Sequence, residues 1–100
     1  MTNETQERLF ERFKEKQREI LLSKGKDYAN QDVLSNFKLS GNICGISAEL
    51  NCLSLIATKV ARLGVLLNSK ETPKHESIDD SILDLANYTF LLKCLISDKQ

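Results

Sequence analysis

The stretch AELNCLSLIATKVARLGVLL, residues 48–67, decides the fold. Turned through about 100° per residue, Leu50, Leu53, Ile56, Ala57, Val60, Leu63, Gly64 and Leu67 fall on one continuous stripe, the pattern of an α-helix with an apolar face directed at a core. Ser47 stands where a hydroxyl can accept from the free amides of the first turn. Leu55, Val65 and Leu66 lie outside the stripe, so the helix is apolar over most of its circumference. A lone three-helix domain covers that much surface poorly, and a subunit interface is the natural cover. Gly64 lowers helix propensity by about 1 kcal/mol relative to Ala, which suits a position where a neighbouring helix approaches closely.

Before this helix, Asn3 with Gln6 can form a capping box, and Leu9, Phe10, Phe13, Ile20 and Leu21 recur at helical steps until Gly25 supplies a stop. The opposite face alternates in charge from Glu7 to Glu19, a solvated surface in which each i,i+4 pair contributes roughly 0.2–0.5 kcal/mol. Periodicity is lost from Lys24 to Asn30, and Val33, Leu34 and Phe37 then fit one side of a short helix. Gly41 and Gly45 mark a second break, which turns the chain into the long apolar helix. After it, Asn68 to His75 is polar, contains the single Pro73 and reads as a linker. Ser77 and Asp80 give a start signal for a final helix, whose core-facing positions run through Ile78, Ile82, Leu85, Ala86, Thr89, Phe90, Leu92 and Ile96. The expected architecture is all-α over one domain, residues 1–100: three long helices and one short, a bundle completed by oligomerisation.

Composition agrees. With 100 residues there is room for one core, and four Gly, one Pro and no Trp argue against a turn-rich β-sandwich or barrel. Fourteen basic and fourteen acidic residues cancel, so no global field draws the chain to duplex nucleic acid or anionic lipid, and no feature points directly to DNA or RNA. The long apolar stretch is interrupted by Asn51, Ser54, Thr58, Lys59 and Arg62, which argues against a membrane span. An odd number of cysteines without a secretory signal fits reduced thiols in the cytoplasm. Cys44, Cys52, Cys94 and His75 lack the paired spacing of a zinc site, and His75 beside Pro73 is poorly placed to activate a thiol.

The chemistry concentrates on the last helix. Asp80, Asp84, Asn87 and Tyr88 are spaced four, three and one and share one face, with two carboxylates a turn apart that need a compensating cation. Lys59 and Arg62 can supply it, because their stems can cover apolar surface while their heads reach a shared polar pocket. Two readings stay open. One is an interhelical ion-pair network that fixes register. The other is a small polar site in which Arg62 offers a planar fork and Lys59 a point charge to phosphate, while Asp80 and Asp84 take Mg²⁺ or ribose hydroxyls. Lys24, Gly25 and Lys26 form a basic turn, with Tyr28 behind it as a stacking surface, although Gly25 is also explained as a helix stop. No P-loop and no G-x-G-x-x-G is present.

The ordered set Lys24-x-x-Asp27-Tyr28, Leu34-Ser35-Asn36-Phe37, Lys59-x-x-Arg62 and Glu76-Ser77-Ile78-x-Asp80-x-x-x-Asp84-x-x-Asn87-Tyr88 resembles the nucleotide-modification-associated domain common in phage genomes. That family is all-helical and similar in outline to MazG-like nucleotide pyrophosphohydrolases. The resemblance spans about residues 20 to 94 and implies a helical homo-oligomer handling nucleotides, with Lys24, Lys26, Asp27, Tyr28, Asn36, Lys59, Arg62, Asp80, Asp84, Asn87 and Tyr88 around the ligand. MazG-like enzymes place E-x-x-E on one helix and E-x-x-D on another to hold Mg²⁺; here Ser81 stands three residues before Asp84, and the middle helix offers Glu49, then Lys59 and Arg62. Cations at those places suit direct hold of a phosphate. The leading expectation is therefore a cytoplasmic protein, of an infected cell if phage-encoded, that binds and sequesters a nucleotide or nucleotide-derived signal without turnover or cofactor. The alternatives are a Mg²⁺-dependent pyrophosphohydrolase using Asp80, Asp84 and Glu49, and a structural or protein-interaction module.

Overall fold

A computed structural model of the chain describes residues 1–26, 32–69 and 75–98, with the side chains of 24–26 and 75–77 left aside. It contains four helices, α1 (Asn3–Lys26), α2 (Ser35–Cys44), α3 (Ala48–Asn68) and α4 (His75–Asp98), and no strand among the described residues. The all-helical class and the three-long, one-short pattern agree with the sequence. α3 and α4 form an antiparallel hairpin, since early α3 meets late α4 and Lys59 meets Asp84. α2 packs on α3, while α1 lies, among the described helices, against α4.

Local chemistry explains the boundaries. α1 is capped by Thr2 instead of Asn3: the Thr5 amide donates to Thr2 Oγ1 at 3.1 Å, the reach a hydroxyl one residue ahead of the helix provides. Helix α1 runs through Gly25 to Lys26, so that glycine is not its stop. α2 likewise passes through Gly41, and the break falls at Gly45 alone. Gly45 takes φ +74, its amide donates to Asn42 O at 3.2 Å, and the Ile46 amide donates to Gly41 O at 2.9 Å, a Schellman closure. Gly41 is needed for a different reason. A Cβ there would lie 3.0 Å from Ile46 O and 3.2 Å from Ser47 O, where the chain folds back. Ser47 caps α3 as its position suggests, accepting from the Leu50 amide at 3.1 Å. α4 begins at His75, two residues before the Ser77 signal and inside the expected linker, of which residues 70–74 lie outside the described residues.

The core is small. Leu34, Phe37, Cys52 and Leu95 are buried together, with Ala48, Ile56, Tyr88, Leu91, Leu92 and Cys94 around them. Phe37 meets the Tyr88 ring edge-on, centroids 6.3 Å apart. Val33, expected beside Leu34 and Phe37, is exposed.

The largest departure concerns α3. Its inner face is Cys52, Ile56, Lys59 and Leu63, and Cys52 is its one fully buried residue. Of the stripe expected to be core, Leu50, Leu53, Val60 and Leu67 are about half exposed or more. The hairpin with α4 selects a narrower face, centred on Cys52 and Lys59, and among the described residues no further helix covers the rest. α3 is also long and apolar enough to cross a membrane, with a mean hydropathy of 1.6 over its best window, of which 6% is buried. In α1, Phe13, Gln17, Ile20 and Leu21 are half-buried, whereas Leu9 and Phe10 on the same side are exposed.

Candidate functional site

The polar centre of the hairpin is the pair Lys59–Asp84. Nζ lies 3.0 Å from Oδ2, and the two side chains are 26% and 24% exposed. Each comes from the middle of its helix, so two rigid backbones hold the pair. It is an ion pair with restricted access to water, stronger than one on an open surface because screening is weaker. Lys59 falls on the same face as Cys52, Ile56 and Leu63, and from there its ammonium reaches Asp84.

One turn farther along α4, Asn87 is 94% buried by the measure of its 6% relative exposure. Neither Oδ1 nor Nδ2 has a hydrogen-bond partner among the described residues. A buried carboxamide offers two donors and an acceptor, and leaving such groups unmatched costs roughly 1–3 kcal/mol each. Ser81, one turn before Asp84 on the same side, is also buried. Ser81, Asp84 and Asn87 thus make a polar band along α4, Ser81 and Asn87 each about 60° around the helix from Asp84, and Lys59 of α3 meets the band at Asp84.

The sequence-predicted set divides against this band. Lys59, Asp84 and Asn87 belong to it. Arg62 and Asp80 are exposed and make no ion pair among the described residues, so the four-charge cluster is reduced to one pair. The reason is angular: Arg62 is three residues from Lys59, about 60° around the helix from it, and Asp80 sits one turn out toward the helix end. Tyr88 faces the α2 core against Phe37, which removes its ring from the band. Asn36 is exposed in the first turn of α2, where its carbonyl accepts from Ser40 Oγ at 2.6 Å. Lys24 and Lys26 lie in the last turn of α1, and their side chains, together with Asp27 and Tyr28, lie outside the described residues.

The metal set of the enzymatic alternative is not assembled. Among the described residues no three His, Cys, Asp or Glu side chains come together to hold an ion. Glu49 is ten residues before Lys59, about 15 Å along α3 at 1.5 Å per residue, so the antiparallel hairpin holds it away from Asp84. Cys44 is exposed, Cys94 half-buried and Cys52 fully buried, all free thiols. Burial pushes the Cys52 thiol above its ordinary pKa, and Sγ lies 3.4 Å from Tyr88 O as a donor.

A second polar group escaped the sequence reading. Lys38 of α2 bridges Asp32 and Asp98, with Nζ 2.8 Å from Asp98 Oδ2, tying α2 to the end of α4. The hydrogen bond from Lys38 holds the Asp32 carboxyl below its ordinary value, aided by the Leu34 amide. Asp32, then Asp98, push Lys38 up to about 12. Asn51 also escaped it; its Nδ2 donates to Phe37 O at 3.2 Å and joins α3 to α2.

Compared with known protein families, curated proteins and solved structures, the chain has no match.

Proposed function

We propose that the chain is a ligand-binding helical module that takes a nucleotide or nucleotide-derived anion at the α3–α4 polar band and holds it without turnover, within a cytoplasmic homo-oligomer. The buried, unmatched carboxamide of Asn87 carries this reading. A carboxamide presents a donor beside an acceptor, the same arrangement as the edge of a nucleobase, and a base would supply the partners that the chain withholds. Arg62, exposed and three residues from Lys59, offers a planar fork for a phosphate at the rim. Asp80, exposed one turn beyond Asp84, is available to ribose hydroxyls. The resemblance of Lys59-x-x-Arg62 and Asp80-x-x-x-Asp84-x-x-Asn87 to phage nucleotide-handling domains supports the same class of ligand.

Binding without hydrolysis is favoured over the pyrophosphohydrolase because Lys59 is already the counter-ion of Asp84, and Glu49 lies far from it. A carboxylate neutralised by ammonium is a poor ligand for Mg²⁺, which needs several free oxygens in octahedral array. The test is calorimetric titration with mono-, di- and triphosphate and cyclic nucleotides, with and without Mg²⁺, followed by chromatography of the nucleotide. The expected result is saturable binding independent of Mg²⁺, intact ligand, and loss of binding in Arg62→Ala. Appearance of pyrophosphate or phosphate only with Mg²⁺ would establish the enzyme instead. No binding across the panel would leave the band as a register device between two helices.

A further inference from the structure

One side of α3 carries a seam that stays largely exposed among the described residues. Leu50, Leu53, Ala57, Val60, Gly64 and Leu67 recur at alternating steps of three and four, the a/d spacing of a coiled coil. Leu50 is 55% exposed, Leu53 49%, Val60 52% and Leu67 68%, and a Cβ at Gly64 would meet nothing within 4 Å. No charged residue stands on it, for Glu49, Lys59 and Arg62 all occupy other positions of the repeat.

We infer that this seam pairs with the same seam of a second copy, antiparallel, about a two-fold axis passing beside Thr58 and Lys59. The order of large and small side chains identifies the occupant. Reversing one helix about that axis sets Leu53 of one copy against Gly64 of the other, Ala57 against Val60, and Leu50 against Leu67. Each glycine or alanine then faces a larger side chain, so the layers fill evenly. A parallel pair instead sets Gly64 on Gly64 and Ala57 on Ala57, leaving voids that forfeit dispersion contacts. Self-complementarity under a two-fold is what an isologous interface requires.

Area points the same way. The chain exposes 7817 Å², where about 5,700 Å² is usual for a compact monomer of 11.3 kDa. The surplus, shared between this seam and the open face of α1 with Leu9, Phe10 and Leu22, exceeds the roughly 800 Å² per partner that a stable dimer covers. This pairing does not depend on the ligand proposed above. Lys59 and Asp84 meet on a different side of α3, so a single-chain mass would remove the homo-oligomer from the reading above but not its ligand site, and a failure to bind nucleotide would leave the seam untouched.

The test is chain mass by sedimentation equilibrium, with helicity followed by circular dichroism. The wild-type protein is expected at twice 11.3 kDa. Val60→Glu lies on an exposed position and is expected at 11.3 kDa with helicity retained. Gly64→Leu adds a side chain into space that is open in the single chain, yet it collides with Leu53 of the second copy; self-association is expected to weaken at least 100-fold. Adding Leu53→Ala to Gly64→Leu moves the bulk across the seam and is expected to restore the dimer. A spin label at residue 68, with Cys44 and Cys94 replaced by Ser, is expected to report labels about 28 Å apart along the paired helices, from 1.5 Å per residue. The inference is overturned by a wild-type protein of single-chain mass, by a dimer indifferent to Val60→Glu and Gly64→Leu, by a short label distance that marks a parallel pair, or by α3 inserting into phosphatidylcholine vesicles instead of self-pairing.

Discussion

Replacing Asn87 by leucine isolates the one expensive group in the hairpin. Both polar atoms of this side chain are buried without partners, and each unmatched group costs roughly 1–3 kcal/mol. Leucine removes both and, having the same branched shape with somewhat larger terminal groups, leaves no cavity. Taking the low end for each atom, the ligand-free variant is expected to be more stable by about 2 kcal/mol. For a chain of this length that raises the midpoint of thermal unfolding by about 8–16 °C. Far-UV circular dichroism at fixed protein concentration measures it. With bound nucleotide the order reverses in kind: the wild-type midpoint climbs with ligand concentration as RT ln(1 + [L]/Kd), while that of Asn87→Leu stays flat. A variant that melts below the wild type without ligand would refute the reasoning, for it would mean that the amide is matched inside the folded protein.

Other outcomes follow from the same geometry. Lys59→Met removes the ammonium beside the partly buried Asp84 carboxylate and is expected to cost about 1–3 kcal/mol by urea unfolding, below the figure for fully buried pairs because a quarter of each side chain meets water. The double variant Lys59→Met with Asp84→Leu is expected to recover that loss, and a double variant no more stable than the single one would show that the pair had little to do with it. Gly45→Ala forces a side chain to φ +74 and is expected to destabilise by about 1–2 kcal/mol, whereas Gly64→Ala, with nothing near its Cβ in the single chain, gains about 1 kcal/mol of helix propensity under conditions that keep the chain monomeric. The Lys38 clamp sets a pH window. The depressed Asp32 contributes stability above pH 3.8 that is lost as pH falls through its lower folded value, and Lys38 contributes below pH 10.5 what is lost as pH rises through about 12. Lys38→Met is expected to flatten both limbs in urea midpoints taken against pH, and an unchanged acid limb would contradict the assignment.

The helices were legible because their signals are local. Apolar recurrence, Ser47 as a cap and Gly45 as a left-handed terminus depend on neighbours within a turn or two. What failed was choice among faces. α3 is apolar nearly all round, so the sequence cannot say which strip α4 takes, and the strip taken contains Lys59. Lys59–Asp84 was foreseen as a pair because two carboxylates a turn apart demand a cation. The expectation that Arg62 and Asp80 join it treated residues of one turn as one cluster; Arg62 is turned about 60° from Lys59, Asp80 lies a turn from Asp84 toward the start of α4, and both are exposed. The Lys38 clamp links positions 6 and 60 residues apart, and no spacing rule reaches that far. Asn87 was named from its company on α4, yet its burial without partners is visible only in three dimensions.

The most direct measurement is the side-chain amide resonance of Asn87 in a ¹⁵N correlation spectrum during nucleotide titration. On this account the Asn87 Nδ2 pair shifts in step with saturation, and its hydrogens exchange more slowly once a base edge accepts from them. A titration that moves the resonances of other residues while leaving the Asn87 pair unchanged, or that moves none, would contradict it.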